Sequence, residues 1–337
     1  MESFLLPIQI AGPPEKIRYQ QQILLTGSCF TEHIGNQLKD IKFEVLQNPN
    51  GILFDPLGVV GSLVSYIDRK QYEAKDLFLL NELWHSWQHH SLFSDTSQQR
   101  CLDRINQSQQ TAYKFLKNTD WLIITLGSAF SYSLREQQLP VANCHRAPAD
   151  WFIKKLLPID EMLSALDQML HRLFHFNPSL QIIFTVSPVR HIRDGVIENN
   201  RSKARLIEVV HQLANKFNRI YYFPAYELVI DVLRDYRFYD KDLVHPNYQA
   251  TGFVLENFMQ HYVEPSSQTI AGEVKKIQIA YRHKALHPDT EAHRRFLKEQ
   301  FIKTKELAGK YPFLDFTREL AHFSPDKGEL FFPNPVI

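Results

Sequence analysis

The stretch Ile23-Leu24-Leu25-Thr26-Gly27-Ser28-Cys29-Phe30, continued by Glu32-His33-Ile34-Gly35-Asn36-Gln37-Leu38, joins a short apolar run to a helix start through a single glycine. An apolar run of this length, bounded by a turn residue, reads as a buried strand. Ser28 therefore stands at the carboxyl end of a strand. In open α/β sheets ligands bind at that edge, and a helix N-terminus there offers backbone N–H groups and positive dipole to an oxyanion. Gly27 permits a tight turn that exposes the hydroxyl. Taken alone, Ser28 also reads as a helix cap, a position that serine favours.

Outward from this stretch, four further apolar runs follow: Phe43 to Gln47, Trp121 to Leu126, Gln181 to Val186 and Ile220 to Phe223. They are continuously apolar, as parallel strands covered by helices on both faces should be. Helical candidates lie between them, notably Pro158 to Phe174 and Arg201 to Phe217. In the latter Leu206, Val209, Val210, Leu213, Ala214 and Phe217 recur at helical spacing. Alternating strand and helix predicts an α/β fold, a three-layer flavodoxin-like doubly wound parallel sheet. The segment 55–119 is too long for one crossover and is expected to insert extra structure near the site. After Pro265-Ser266-Ser267 the sequence becomes charged and helical. The expected organisation is an α/β domain over residues 1–264 and a helical C-terminal extension, 265–337, packed on the core.

Composition narrows the function. With 337 residues, 44% of them apolar, the chain can bury a sizeable core, and 38 Lys and Arg against 37 Asp and Glu leave a net charge of +1. No global field exists to hold a polyanion, so nucleic acid is not an expected partner. Three scattered cysteines, Cys29, Cys101 and Cys144, write neither a disulfide framework nor a zinc knuckle. The acid at Glu2 and the break at Pro7 argue against a signal peptide, and no run approaches the length of a membrane span. The expected location is cytoplasmic, with no membrane partner. The oligomeric state stays open.

Asp242-Leu243-Val244-His245-Pro246 follows closely on the last apolar run. A carboxylate and an imidazole three residues apart can hydrogen-bond within one turn. The acid then fixes the ring tautomer while the other nitrogen takes a serine proton. Pro246 opens a helix from Asn247 to Phe258. Cys29 offers a rival thiol nucleophile, though its place after the turn points it toward the core side of the helix start. The segment Trp84-His85-Ser86-Trp87-Gln88-His89-His90-Ser91 lacks a carboxylate or cysteine at ligand spacing, so it does not read as a metal site. Trp87, His89 and His90 are candidates for contacting substrate. Arg190 and His191, just past the fourth run, are candidates for the same role, or else Arg190 ties Asp194 or a nearby loop. No glycine-rich phosphate loop follows any strand, and no cofactor is expected.

These residues carry a resemblance. The chain resembles the GSCFA domain proteins, a branch of the SGNH or GDSL-like hydrolase superfamily, through Gly27-Ser28-Cys29-Phe30-Thr31, with Thr where the family name has Ala. Further matching blocks are Asn48 to Pro56, Ile123 to Ser128, Ala142 to His145, Phe184 to His191, and Tyr236 to Tyr239 leading into His245. The resemblance spans roughly residues 20–262. It implies an O-acyl esterase or acyltransferase, acting on a small-molecule or carbohydrate ester through an acyl-Ser28 intermediate, with Asp242 and His245 completing the triad. A catalytically silent carbohydrate-binding or scaffolding protein of the same fold is the alternative. The oxyanion-hole residues it implies are Gly51, with Asn48 on the same loop. The superfamily's asparagine normally follows the third strand as Gly-x-Asn. Here Gly127-Ser128-Ala129 stands instead, and Asn143 is the expected substitute.

Overall fold

The computed structural model describes residues 5–324. Residues 1–4 and 325–337, the outer ends of the two expected domains, lie outside the described residues. Five strands, β1 (Gln22–Gly27), β2 (Glu44–Gln47), β3 (Trp121–Leu126), β4 (Gln181–Val186) and β5 (Ile220–Tyr222), form one parallel sheet in the order β2-β1-β3-β4-β5. This is the flavodoxin-like order, whose switch point lies between the first and third strands. Ser28 and Gly127, which follow those two strands, meet at that point, and the register pairs Gly27 with Thr125.

All six residues of β3 are buried, as are five of β4. Leu24, Leu122, Ile124, Ile182 and Phe184 pack with Val59, Leu63, Leu116, Leu166, Leu170, Leu206 and Val210. Those partners come from α2 (Pro56–Ile67), α3 (Gln98–Asn118), α4 (Ile159–Phe176) and α5 (Val196–Lys216). The alternate residues Ile23, Leu25, Ile123 and Ile183 are also buried, so both faces are covered. That double burial is why the strands lack polar alternation. Helix α1 (Cys29–Asp40) begins directly after Ser28, and α6 (Tyr248–Tyr262) follows the Asp242–His245 loop.

The segment 55–119 holds α2, a hairpin of Phe78–Leu80 with Leu83–His85, and α3. Its satellite core of Tyr72, Leu77, Cys101 and Ile105 is separate from the main one. A second small sheet, Phe130–Leu134 with Pro140–Val141 and Phe152–Leu156, was not foreseen from sequence. Ser131, Ser133, Lys154 and Lys155 interrupt its apolar runs, leaving no strand signal of the buried kind. Helix α5 begins at Val196 rather than Arg201, because Val196 and Ile197 are exposed and the residues after them are polar, so no apolar period marks its start.

The chain divides into two compact units, one of residues 1–38 and 43–264, the other of 39–42 and 265–337. Within the second, α7 (Pro265–Arg282), α8 (Glu291–Lys310) and α9 (Thr317–Phe323) are joined by polar contacts. Lys310 pairs with Glu273 at 2.9 Å, and Gln278 donates to Glu319 at 2.6 Å. Asp40 and Lys42 belong to this unit through Arg282 and Glu319. No helix among the described residues is long and apolar enough to cross a membrane.

Asp55 caps α2: its Oδ1 accepts from the N–H groups of Leu57 and Gly58, each at 3.1 Å, and Pro56 sits in the first turn where no N–H is needed. Replacing Asp55 by Ala is expected to lower stability by about 1–2 kcal/mol, and replacing it by Asn, which keeps an acceptor, by less. Urea unfolding of the two variants at neutral pH checks this.

Candidate active site

Glycine is required at position 27. Its φ is +138°, and a Cβ there would stand 2.1 Å from the Thr125 carbonyl oxygen. Because β1 runs this close to β3, the chain can turn directly into α1, and Ser28 falls in the corner. The Ser28 N–H donates to Thr125 O at 3.1 Å, and Ser28 O accepts from Thr31 N–H at 2.9 Å. Ser28 is only 1% exposed, and its Oγ is buried with no hydrogen-bond partner among the described residues. The hydroxyl therefore does not cap α1, and it makes no bond to an imidazole.

The loop after β2 lies across the ends of β1 and β3. Asn48, itself at φ +45°, accepts from Gly27 N–H through Oδ1 at 3.0 Å. That bond fixes which way the amide faces, and its Nδ2 is left buried without a partner among the described residues. Gly51 N–H donates to Asn48 O at 2.7 Å, and Leu53 N–H donates to Gly27 O at 3.0 Å. Phe54 O accepts from both Gly127 N–H at 2.7 Å and Ser128 N–H at 3.0 Å. Gly51 (φ +78°) also has to be glycine, since a Cβ would stand 2.2 Å from that of His90. A depression of about 550 Å³ adjoins this loop, with Glu32, Gln47, Asn48, Arg104, Gln107 and Thr111 among its lining.

Lys203, on α5, is completely enclosed and donates to Gly127 O and Ser187 O, each at 2.6 Å, tying the ends of β3 and β4 together. Burial holds its ammonium down to about 7, against the opposing influence of Cys29. Cys29 itself is pushed up by burial, which disfavours the thiolate near neutral pH.

Beyond the sheet, Asp242 and His245 form a closed pair. Asp242 Oδ1 accepts from the N–H groups of Val244 (2.9 Å) and His245 (3.0 Å), and its Oδ2 lies 2.7 Å from His245 Nδ1. The imidazole contact first, and the two N–H groups next, hold the Asp242 carboxyl down to about 2. A carboxylate at Nδ1 requires a proton there, so in the neutral ring Nε2 is the acceptor. These side chains are 48% and 42% exposed, unlike Ser28.

His191 lies between the two halves. The backbone of its neighbour Arg190 bonds to Val244 O at 3.2 Å, and its own N–H donates to Asn199 Oδ1 at 2.9 Å. Its ring packs on Phe54 with centroids 5.4 Å apart. A Cβ on Gly127 would be 2.8 Å from Phe54 Cβ, 3.2 Å from Ser28 Cβ and 3.3 Å from His191 Nε2, so all three side chains converge on that glycine. His191 Nε2 is buried and has no hydrogen-bond partner among the described residues. Burial first, then Lys203, His245 and Lys154, push this imidazole down to about 4 and keep it neutral.

The remaining candidates are placed elsewhere. Arg190 donates to Leu243 O at 3.2 Å and lies over the Tyr239 ring at 4.4 Å; Asp194 pairs instead with Lys154. Trp87 is stacked on Phe78 with centroids 3.6 Å apart. His89 is fully buried, with Nδ1 2.9 Å from Ser86 Oγ and its ring edge-on to Tyr72, and burial pushes it down to about 3. Of the histidines in that segment His90 touches the Gly51 loop, its N–H donating to Asn50 O at 2.9 Å. Asn143 Oδ1 accepts from His145 N–H at 2.9 Å. Among the described residues no three or more His, Cys, Asp or Glu side chains form a group that could hold a metal ion. Sequence reasoning missed Lys203 and the convergence of His191 and Ser28 on Gly127. A lysine inside the apolar period of a helix was the one available signal.

The GSCFA family profile matches residues 22–258, and the profile of the GSCFA domain protein C-terminal domain matches residues 274–324. The chain belongs to the GSCFA family. Solved structures similar to this GSCFA protein include a putative platelet activating factor from Streptococcus pneumonia, at 14% identity and a TM-score of 0.36, covering 71% of this chain and 84% of the other. Another is a carbohydrate esterase family 3 protein from Talaromyces cellulolyticus, at 8% identity and 0.36, with 76% and 99% covered. A third is an acetyl xylan esterase, Est2A, from the rumen bacterium Butyrivibrio proteoclasticus, at 10% and 0.38, with 72% and 64% covered. No curated protein sequence matches.

Lys203 leads to a pH dependence of stability. Its folded value of about 7 lies below the ordinary 10.5, so between these limits the unfolded chain binds more protons than the folded one. Stability from this group therefore increases as pH rises through that window and is lost as pH falls toward 7. Lys203→Met is expected to gain less stability than wild type between pH 7 and about 9.5, read from urea midpoints across that range.

Proposed function

We propose that this GSCFA protein is an O-acyl esterase or acyltransferase that works through an acyl-Ser28 intermediate. The observation that carries the reading is the Asp242–His245 pair, with Nδ1 on the carboxylate at 2.7 Å and Nε2 left as acceptor, on the sheet edge that also holds Ser28. Ser28 Oγ attacks the acyl carbon as its proton passes to His245 Nε2. The carbonyl π pair moves onto oxygen, then returns to expel the alkoxide, which leaves with the proton from His245. Water or a second hydroxyl reverses the sequence and frees the acyl group. Asp242 keeps the tautomer and stabilises the imidazolium.

The reading requires two movements. The side chains covering Ser28 Oγ must give way to the acyl group, and His245 Nε2 must close on the hydroxyl. Catalytic hydrogen bonds commonly tighten only when substrate is bound. Serine is favoured over Cys29 because burial raises the thiol and holds it protonated. The depression beside Asn48, where Glu32, Gln47, Arg104 and Gln107 stand with Leu92 and Phe93, offers both hydrogen-bonding groups and apolar surface to an acceptor such as a carbohydrate.

Ser28→Ala is expected to abolish hydrolysis of an aryl acetate while leaving the thermal transition in place, and a fluorophosphonate is expected to label Ser28 in the wild type. Full activity in the variant would refute the assignment. Label on Cys29 would transfer the chemistry to the thiol, and a protein that neither labels nor turns over would be a binding protein.

A further inference from the structure

An acyl transfer at Ser28 needs donors for the oxyanion, and the main chain offers few. The N–H groups of Ser28, Gly51, Gly127 and Ser128 are all engaged with carbonyl oxygens of Thr125, Asn48 and Phe54. Ala129, standing where the superfamily has asparagine, has no side-chain donor, and its N–H is taken by Ser202 Oγ at 2.7 Å. Among the described residues, two buried side-chain nitrogens without partners remain beside Gly27, Ser28 and Gly127: Asn48 Nδ2 and His191 Nε2. Asn48 was already a candidate from its place in the sequence.

We propose that His191 is the second oxyanion donor, its neutral imidazole giving Nε2–H to the carbonyl oxygen of the acyl group on Ser28. The inference rests on the acyl-Ser28 reading. Both Ser28 Cβ and His191 Nε2 lie against the same point above Gly127, so an oxygen on a carbon bonded to Ser28 Oγ is within reach of that nitrogen. The same geometry would also suit a base, and charge decides between the roles. A base has to carry the proton as imidazolium, which burial beside Lys203 opposes, and among the described residues no carboxylate bonds this ring as Asp242 bonds His245. A donor stays neutral throughout. Neutral histidines that polarise a carbonyl work in this way. The Phe54 contact and the Asn199 bond hold the ring in place before any substrate arrives, and preorganised donors stabilise the transition state most.

The test compares His191→Phe and His191→Gln in the full chain, using aryl acetate turnover and fluorophosphonate labelling of Ser28. Phenylalanine fills the space against Phe54 and donates nothing; glutamine donates an N–H but cannot act as a base. His191→Phe is expected to lose about 100- to 1,000-fold in kcat with KM little changed, and His191→Gln to recover at least roughly tenfold of that loss, with the thermal transitions of both confirming folded protein. A phenylalanine variant as active as wild type would overturn the proposal. So would a glutamine variant as impaired as the phenylalanine one, which would make His191 a base or a packing element. A wild type that neither labels nor turns over removes the acyl-Ser28 reading and this inference with it. A labelled, active wild type with an unimpaired phenylalanine variant removes this inference alone.

Discussion

Where parallel strands end, their last N–H and C=O groups have no ladder partner, and burying them unpaired would cost on the order of 1–3 kcal/mol each. The structure around Ser28 depends on how that demand is met. The loop from Asn48 to Phe54 supplies Asn48 Oδ1 and Leu53 N–H to Gly27, and Phe54 O to Gly127 and Ser128. Lys203 covers the carbonyls of Gly127 and Ser187. Three strand ends are thereby fixed to one another, and Gly27 is the position that allows so close an approach.

With the backbone satisfied, the polar atoms left over belong to side chains. Ser28 Oγ, Asn48 Nδ2, Thr185 Oγ1 and His191 Nε2, on or beyond the carboxyl halves of the central strands, are all buried without a partner among the described residues. Such atoms are rare in folded proteins and call for a reason. A ligand group that offers an acceptor to the nitrogens gains the bonds that the closed protein forgoes. The enclosed hydroxyl stands in contrast to the half-exposed Asp242–His245 pair, so the two parts of the proposed triad differ in solvation as well as in position along the chain.

The histidine-rich segment shows how composition can misdirect. His85 bonds Ser94 Oγ at 2.6 Å and lies 3.1 Å from Leu80 O, His89 contacts Ser86, and His145 Nε2 meets Ser86 O at 2.8 Å. The His85 and His145 rings pack with Phe78 and Trp87, while the His89 ring lies against Tyr72 and Phe93. The imidazoles there serve as amphipathic packing groups, paired with hydroxyls and carbonyls at short range. Nothing in the linear order of Trp, His and Ser reveals which way each ring will face.

The five strands were legible as apolar runs because burial on both faces removes polar alternation, a constraint written residue by residue. Gly27 before Ser28 and the three-residue step from Asp242 to His245 were legible for the same local reason, since a turn and a one-turn hydrogen bond involve neighbours in the chain. Asp55 before Pro56 carried an equally local capping signal that the reading by apolar runs passed over. What the sequence could not fix was how distant loops fill the corner between β1 and β3. The convergence of Phe54, Ser28 and His191 on Gly127, the burial of Lys203 against two strand ends, and the occupation of the Ser28, Gly127 and Ser128 N–H groups arise largely from contacts between segments far apart in the chain. Such contacts depend on packing and on where unpaired polar atoms can find partners, which only the assembled tertiary structure decides.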